Sequence, residues 1–90
     1  MVSITVLTQP ACAYCDQAKE ILARLACNYA FEYGEIGLQT EEGRELAIKN
    51  GVMFAPGILI EGKLFSFGRL SEKKLKSKLD QEGAKKWQSH

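Results

Sequence analysis

Val2-Ser3-Ile4-Thr5-Val6-Leu7-Thr8, then Gln9-Pro10-Ala11, then Cys12-Ala13-Tyr14-Cys15 with Ala18, Ile21, Leu22 and Leu25 behind it: this run decides the fold. Its first seven residues are β-branched and apolar almost throughout, the pattern of a strand covered on both faces. Gln9-Pro10-Ala11 breaks that pattern. Ala18, Ile21, Leu22 and Leu25 then fall at i, i+3, i+4 and i+7, which predicts an amphipathic helix over about residues 12–26. Tyr29, Phe31 and Tyr33 alternate with smaller or polar residues, so 29–36 reads as a second strand and the opening is a βαβ unit. Such a unit needs a right-handed crossover and parallel strands.

The rest of the chain extends the unit. Thr40 before Glu41 and Glu42 is a helix start, offering a side-chain oxygen to orphan N–H groups and two anions to the positive end of the dipole. That short helix, 40–49, turns Leu46 and Ala47 inward and stops at Asn50-Gly51. Gly57-Ile58-Leu59-Ile60 and Leu64-Phe65-Ser66-Phe67 flank Glu61-Gly62-Lys63, a hairpin whose glycine supplies a positive φ. Ser71 caps a last helix, with Leu70 and Leu75 as its hydrophobic staple and Leu79 continuing the buried stripe. The expected order is β-α-β-α-β-β-α, an α/β fold with a four-stranded mixed sheet and helices on both faces. Residues 1–83 form the domain, and 84–90 read as a C-terminal tail that carries Trp87, either folded back or disordered, and a solvated His90.

Size and composition bound the function. Ninety residues, 46% hydrophobic and 26% charged, make one small globular domain rather than a disordered chain. A domain of this length buries only about 60–65% of its unfolded surface. No run approaches the roughly 18 apolar residues of a membrane span, and Met1-Val2-Ser3-Ile4-Thr5 shows no secretory signal. Twelve basic and eleven acidic side chains give a net charge of +1, which argues against nucleic acid as a partner. The charge is unevenly spread: residues 1–60 carry four basic and seven acidic groups, whereas 61–90 carry eight and four. Lys73, Lys74, Lys76, Lys78, Lys85 and Lys86 supply most of the basic end, and they read as the solvated face of a helix. Tyr29, Phe31 and Tyr33 have no basic groove beside them and form a strand face, not a base-stacking platform.

The chemistry rests on the cysteines. Three are too few, and odd in number, for a disulfide-stapled secreted scaffold. A reducing, cytoplasmic setting is expected, where cysteine pairs are catalytic or metal-binding. In a helical turn, residues i and i+3 share a face with Cα atoms about 5 Å apart, inside the range a disulfide tolerates. Cys12 would stand at the helix N-terminus, where unpaired N–H groups and the macrodipole favour a thiolate and draw the thiol from about 8.5 into the range of about 3.5–7.5. Cys15, one turn in, is less favoured as an anion. Cys12 is therefore the expected nucleophile and Cys15 the resolving thiol. A zinc site wants four ligands, and the chain offers only Cys27 and His90 besides the pair, so structural zinc is not expected. Cys27 itself is expected to be buried packing, with a regulatory or dimer-forming thiol as the alternative.

A strand, then Cys12-Ala13-Tyr14-Cys15 opening a helix, then a proline directly before the third strand resembles the thioredoxin superfamily, and within it the glutaredoxin-like proteins. The likeness covers about residues 2–82. It implies that Pro56, in Phe54-Ala55-Pro56-Gly57-Ile58, follows a cis peptide and faces the cysteine pair, that the Ala55 backbone pairs with an extended substrate, and that the Tyr14 ring lies over the rim of the pair. Gly68, Arg69 and the helix start at Ser71 would hold a substrate carboxylate. The chain departs from the family at several points. Ala13 replaces the proline of Cys-Pro-Tyr-Cys, Ala11 stands where thioredoxins carry tryptophan, and Thr8-Gln9-Pro10 lacks the basic residue of glutathione-using members. Ser66-Phe67-Gly68-Arg69 also resembles glutaredoxin-like proteins that draw electrons from thioredoxin reductase.

The resemblance implies a monomeric thiol–disulfide oxidoreductase with no tightly bound cofactor. It would reduce protein or low-molecular-weight disulfides in redox homeostasis and electron transport, with glutathione as co-substrate or thioredoxin reductase as donor. Glutaredoxin-like poise would lie at about −200 to −230 mV and thioredoxin-like poise near about −270 mV. The alternative is a metal or iron–sulfur cluster module built on the same pair, because soft thiolates select such metals.

Overall fold

A computed structural model describes residues 1–86. Among them the elements run β1 (Val2–Thr8), α1 (Ala13–Leu25), β2 (Phe31–Gly37), α2 (Glu41–Asn50), β3 (Gly57–Ile60), β4 (Lys63–Phe67) and α3 (Glu72–Gln81). The sheet order is β2-β1-β3-β4. β1 runs parallel to β2, from Val2 opposite Phe31 to Thr8 opposite Gly37, and antiparallel to β3, from Ile4 opposite Ile60 to Leu7 opposite Gly57. β3 and β4 form an antiparallel hairpin. The expected order and mixed sheet are observed. Because β1 and β3 run in opposite directions, the end of the first strand and the start of the third meet at one edge of the molecule. The functional residues collect there.

The core fills one face of the sheet. Val2, Ile4 and Val6 of β1 and Ile58 and Ile60 of β3 pack against Ala18, Ile21, Leu22 and Leu25 of α1 and Leu75 and Leu79 of α3. The α1 and α3 members are the residues that the helical spacings select. The opposite face is covered by α2 and the segment after it. Val52 lies so close to Gly57 that a Cβ there would stand 2.8 Å from Val52 Cγ1. Gly43 permits the closest approach in α2, because a Cβ at that position would collide with the Gly37 carbonyl at the end of β2. Gly43 is accordingly the buried residue of the helix, while Leu46 and Ala47, expected to point inward, are half-buried.

Helix ends and turns follow the side chains that satisfy them. Thr40 Oγ1 accepts from the Gly43 N–H at 3.0 Å, and Ser71 Oγ accepts from the Lys74 N–H at 3.2 Å. Leu70 and Leu75 are both buried beside the second of these caps. Replacing Ser71 with Ala should cost about 0.5–2 kcal/mol, read as a lower urea midpoint at unchanged slope. An unchanged midpoint would show that the cap contributes nothing. At the β3–β4 turn Glu61 (φ 53°) and Gly62 (φ 77°) are both left-handed, the geometry of a two-residue type I′ hairpin, so two positions rather than the glycine alone carry positive φ.

Three further expectations differ from the structure. Tyr29 precedes β2 instead of starting it; it is 3% exposed, and its hydroxyl donates to Asp80 Oδ1 at 2.6 Å. The tail expected from residue 84 is held to the body through Lys86. Ala84 is buried, its carbonyl accepts from the Ala30 N–H at 2.7 Å, and the Lys86 N–H donates to the Asn28 carbonyl at 2.8 Å. This pairing satisfies backbone groups at the entry to β2. The readings of Trp87 and His90 lie outside the described residues. Cys27, finally, is exposed and not core packing. It follows Leu25, the last apolar position of the α1 stripe, by two residues, and that offset turns it off the buried face.

Candidate active site

β1 delivers the chain to a tight turn in which Pro10 is followed by Ala11 at φ 52°, an uncommon left-handed conformation for a residue with a Cβ. The turn sets Cys12 as the N-cap of α1, with extended backbone angles of φ −116° and ψ 106°. Its sulfur does what an oxygen does in an ordinary cap: Cys12 Sγ accepts from the Cys15 backbone N–H at 3.1 Å. Cys12 and Cys15 are disulfide-bonded, with Cα atoms 5.2 Å apart. The two sulfurs differ in access, for Cys12 is half-buried and Cys15 only 2% exposed.

The Ala55–Pro56 peptide is cis, as the resemblance implied, and Pro56 is fully buried. The Gly68 N–H donates to the Pro56 carbonyl at 2.9 Å, tying the end of β4 to this loop. Cys12, Tyr14, Ala55 and Gly68 line one groove of about 480 Å³. Four of the residues named from sequence thus meet, with Pro56 next to them in the chain. Arg69 and Ser71 are placed elsewhere. They line a recess between α1 and the start of α3 together with Gln17, Glu20, Arg24 and Glu72. In that recess Arg24 bonds Glu72 at 2.7 Å, and this hydrogen bond holds the Glu72 carboxyl below its ordinary range and the Arg24 guanidinium above its own.

Sequence reasoning missed most of the groove's far wall. Leu38, Val52, Met53 and Phe54 line it too, and none of its lining side chains is charged. Met53 is 71% and Phe54 66% exposed. The Phe54 ring meets that of Phe67 with centroids 6.0 Å apart. The available signal was a run of apolar side chains, Val52-Met53-Phe54, in a segment with no periodicity to bury them. On β2, Tyr33 donates to Glu35 Oε2 at 2.8 Å and Lys19 Nζ lies 3.2 Å from Glu35 Oε1. The Tyr33 hydroxyl first, and Lys19 second, lower the Glu35 carboxyl from its ordinary value. Burial and the same hydrogen bond raise the Tyr33 phenol.

Chemically, a paired sulfur with its more accessible member at a helix start is a dithiol–disulfide couple. Comparisons with known proteins agree. The thioredoxin domain family matches residues 2–80. A probable thioredoxin of Archaeoglobus fulgidus is 28% identical over 76 residues, 84% of either chain. A thioredoxin-like protein from Clostridium perfringens superposes with a TM-score of 0.75 at 19% identity, over all of this chain and 79% of that one. The oxidised thioredoxin of Plasmodium falciparum does so with a TM-score of 0.64 at 15% identity, over 92% and 82%. With the family match spanning both cysteines and the loop of Pro56, the chain belongs to the thioredoxin domain family.

Proposed function

We propose that this chain reduces protein or low-molecular-weight disulfides through Cys12 and Cys15, in a reducing compartment such as the cytoplasm, and is recharged by a thioredoxin-reductase-type enzyme. The observation that carries the reading is the Cys12 sulfur at the α1 N-cap, accepting an amide hydrogen bond inside a groove. A helix N-terminus favours the thiolate, which is the attacking species. Cys12 attacks a substrate disulfide, forming a mixed disulfide and releasing one thiolate that takes up a proton. Cys15 then gives up its proton and displaces the second thiol, which leaves the Cys12–Cys15 disulfide. Two electrons from the donor restore the dithiol.

The choice of donor rests on the groove's lining. Glutathione carries two carboxylates and an ammonium group, and such groups are held by charge-assisted hydrogen bonds. The groove offers no charged side chain, and Arg69 and Ser71 line a different recess. Uncharged, aromatic-rich walls suit a protein surface instead. No specific observation favours the metal-module alternative built on the same Cys12–Cys15 pair, which is closed as a disulfide here.

A paired assay tests the reading. The protein should reduce a disulfide substrate with NADPH and thioredoxin reductase, and show no turnover above background with glutathione, glutathione reductase and NADPH. Turnover with the glutathione system alone would overturn the donor assignment. Silence in both would overturn the reaction itself.

A further inference from the structure

The pair lies between two openings. Besides the uncharged groove, a second recess of about 320 Å³ reaches the sulfurs, and its lining includes Thr8, Gln9, Cys15, Asp16, Lys19 and Gln39. Cys15 is 2% exposed overall, so this recess is its polar outlet. The resolving step needs the Cys15 proton to leave and a thiolate to form in that enclosed position. The local amide does not help it, because the Cys15 N–H is directed at Cys12 Sγ and favours charge on the other sulfur. Burial opposes the charged form further.

Lys19 is the cation placed to offset this. It stands at i+4 from Cys15 on α1, one turn along the same helix face, and lines the same recess. Glu35 of β2 anchors it from outside at 3.2 Å. The charged groups at this wall are Asp16 and Lys19 from α1 and Glu35 from β2, while Thr8 at the end of β1, Gln9 after it and Gln39 before α2 are neutral.

We propose that Lys19 is a positioning residue for the resolving step, its ammonium favouring the Cys15 thiolate through the polar recess as the mixed disulfide is displaced. The inference rests on the thiol–disulfide reading above. In the step, Cys15 loses its proton to water in the recess, its sulfur bonds to Cys12 Sγ, the Cys12–substrate S–S bond breaks, and the departing thiolate is reprotonated by solvent.

The test uses the reduced full chain carrying Cys27→Ala, which removes the exposed third thiol, mixed rapidly with 5,5′-dithiobis(2-nitrobenzoate). The first equivalent of coloured thiolate reports attack by Cys12, and the second reports displacement by Cys15. Lys19→Gln should slow the second phase about 3- to 10-fold and raise its pH midpoint, as loss of one partly screened cation would, and leave the first phase unchanged. Lys19→Arg should restore the second phase. Glu35→Gln frees the lysine from its anchor and should lower the midpoint, the opposite sign. If Lys19→Gln leaves the second phase and its pH profile unmoved, or if Glu35→Gln slows it in the same way, the role assigned to Lys19 is overturned. A first phase no faster than that of an ordinary thiol would instead overturn the thiol–disulfide reading on which the inference rests.

Discussion

Cys12→Ser reduces no disulfide: turnover with NADPH and thioredoxin reductase falls by at least about 10³-fold, because a hydroxyl in place of the thiolate leaves no competent nucleophile. Cys15→Ser behaves differently. The attack on substrate persists, the resolving sulfur is missing, and the protein accumulates as a one-to-one mixed disulfide visible by mass. The asymmetry follows from access and capping, since the half-buried Cys12 receives the amide hydrogen bond and Cys15 is enclosed. In the Cys15→Ser, Cys27→Ala background, Cys12 should be alkylated with a midpoint below about 7.5, against about 8.5 for free cysteine. Reactivity then persists as pH falls past the free-cysteine value of about 8.5 and is lost below the lower midpoint. A midpoint at the free-cysteine value, or residual dithiol-dependent turnover in Cys12→Ser, would reverse the assignment of roles.

Leu79→Ala should have the largest effect on stability. Leu79 and Leu75 are fully buried and attach α3 to β1, β3 and α1 through one continuous apolar cluster. Truncating a leucine in such a site costs about 2.7–5 kcal/mol, transfer and cavity together. A 90-residue domain has about 5–13 kcal/mol in total, so the loss is a large share of it. The melting temperature should drop by more than about 10 °C. Lys74→Ala on the same helix, at an exposed position, should stay within about 0.5 kcal/mol. A loss below about 1 kcal/mol at Leu79 would mean that α3 is not a structural part of the core. The cysteine pair sits on α1 and not on α3, so well below its melting temperature the variant should still reduce disulfides.

What could be read from the sequence was what local rules determine. Ala18, Ile21, Leu22 and Leu25 announce a helix face by spacing, and all four are buried. Thr40 and Ser71 announce caps by chemistry, and both accept the amide they should. Cys12 and Cys15 announce a redox pair by spacing and by their place after a strand. What stayed hidden depends on chain segments meeting from far apart. Met53 and Phe54 look like core residues in a list of hydrophobics, yet they are exposed because their loop is fixed by β3 and not by its own periodicity. Gly43 reads as a weak helix residue, and only its contact with the Gly37 carbonyl explains it. Arg69 follows Gly68 directly, but the chain turns into the Ser71 cap there and carries the guanidinium to the α1–α3 side. Cys27 and Ala84 exchanged the fates that composition assigns them, because position relative to the apolar stripe and backbone pairing outweighed residue type.

One atom serves two purposes here. Cys12 Sγ holds the Cys15 amide in the first turn of α1 and also exchanges electrons, so each change in its bonding also changes how the helix begins. Redox state and conformational stability are then linked functions: any preference of the fold for one form must reappear, with equal magnitude, as a displacement of the couple's midpoint. Calorimetry on the two forms would therefore weigh that displacement, relative to the unfolded chain, without a single electrode.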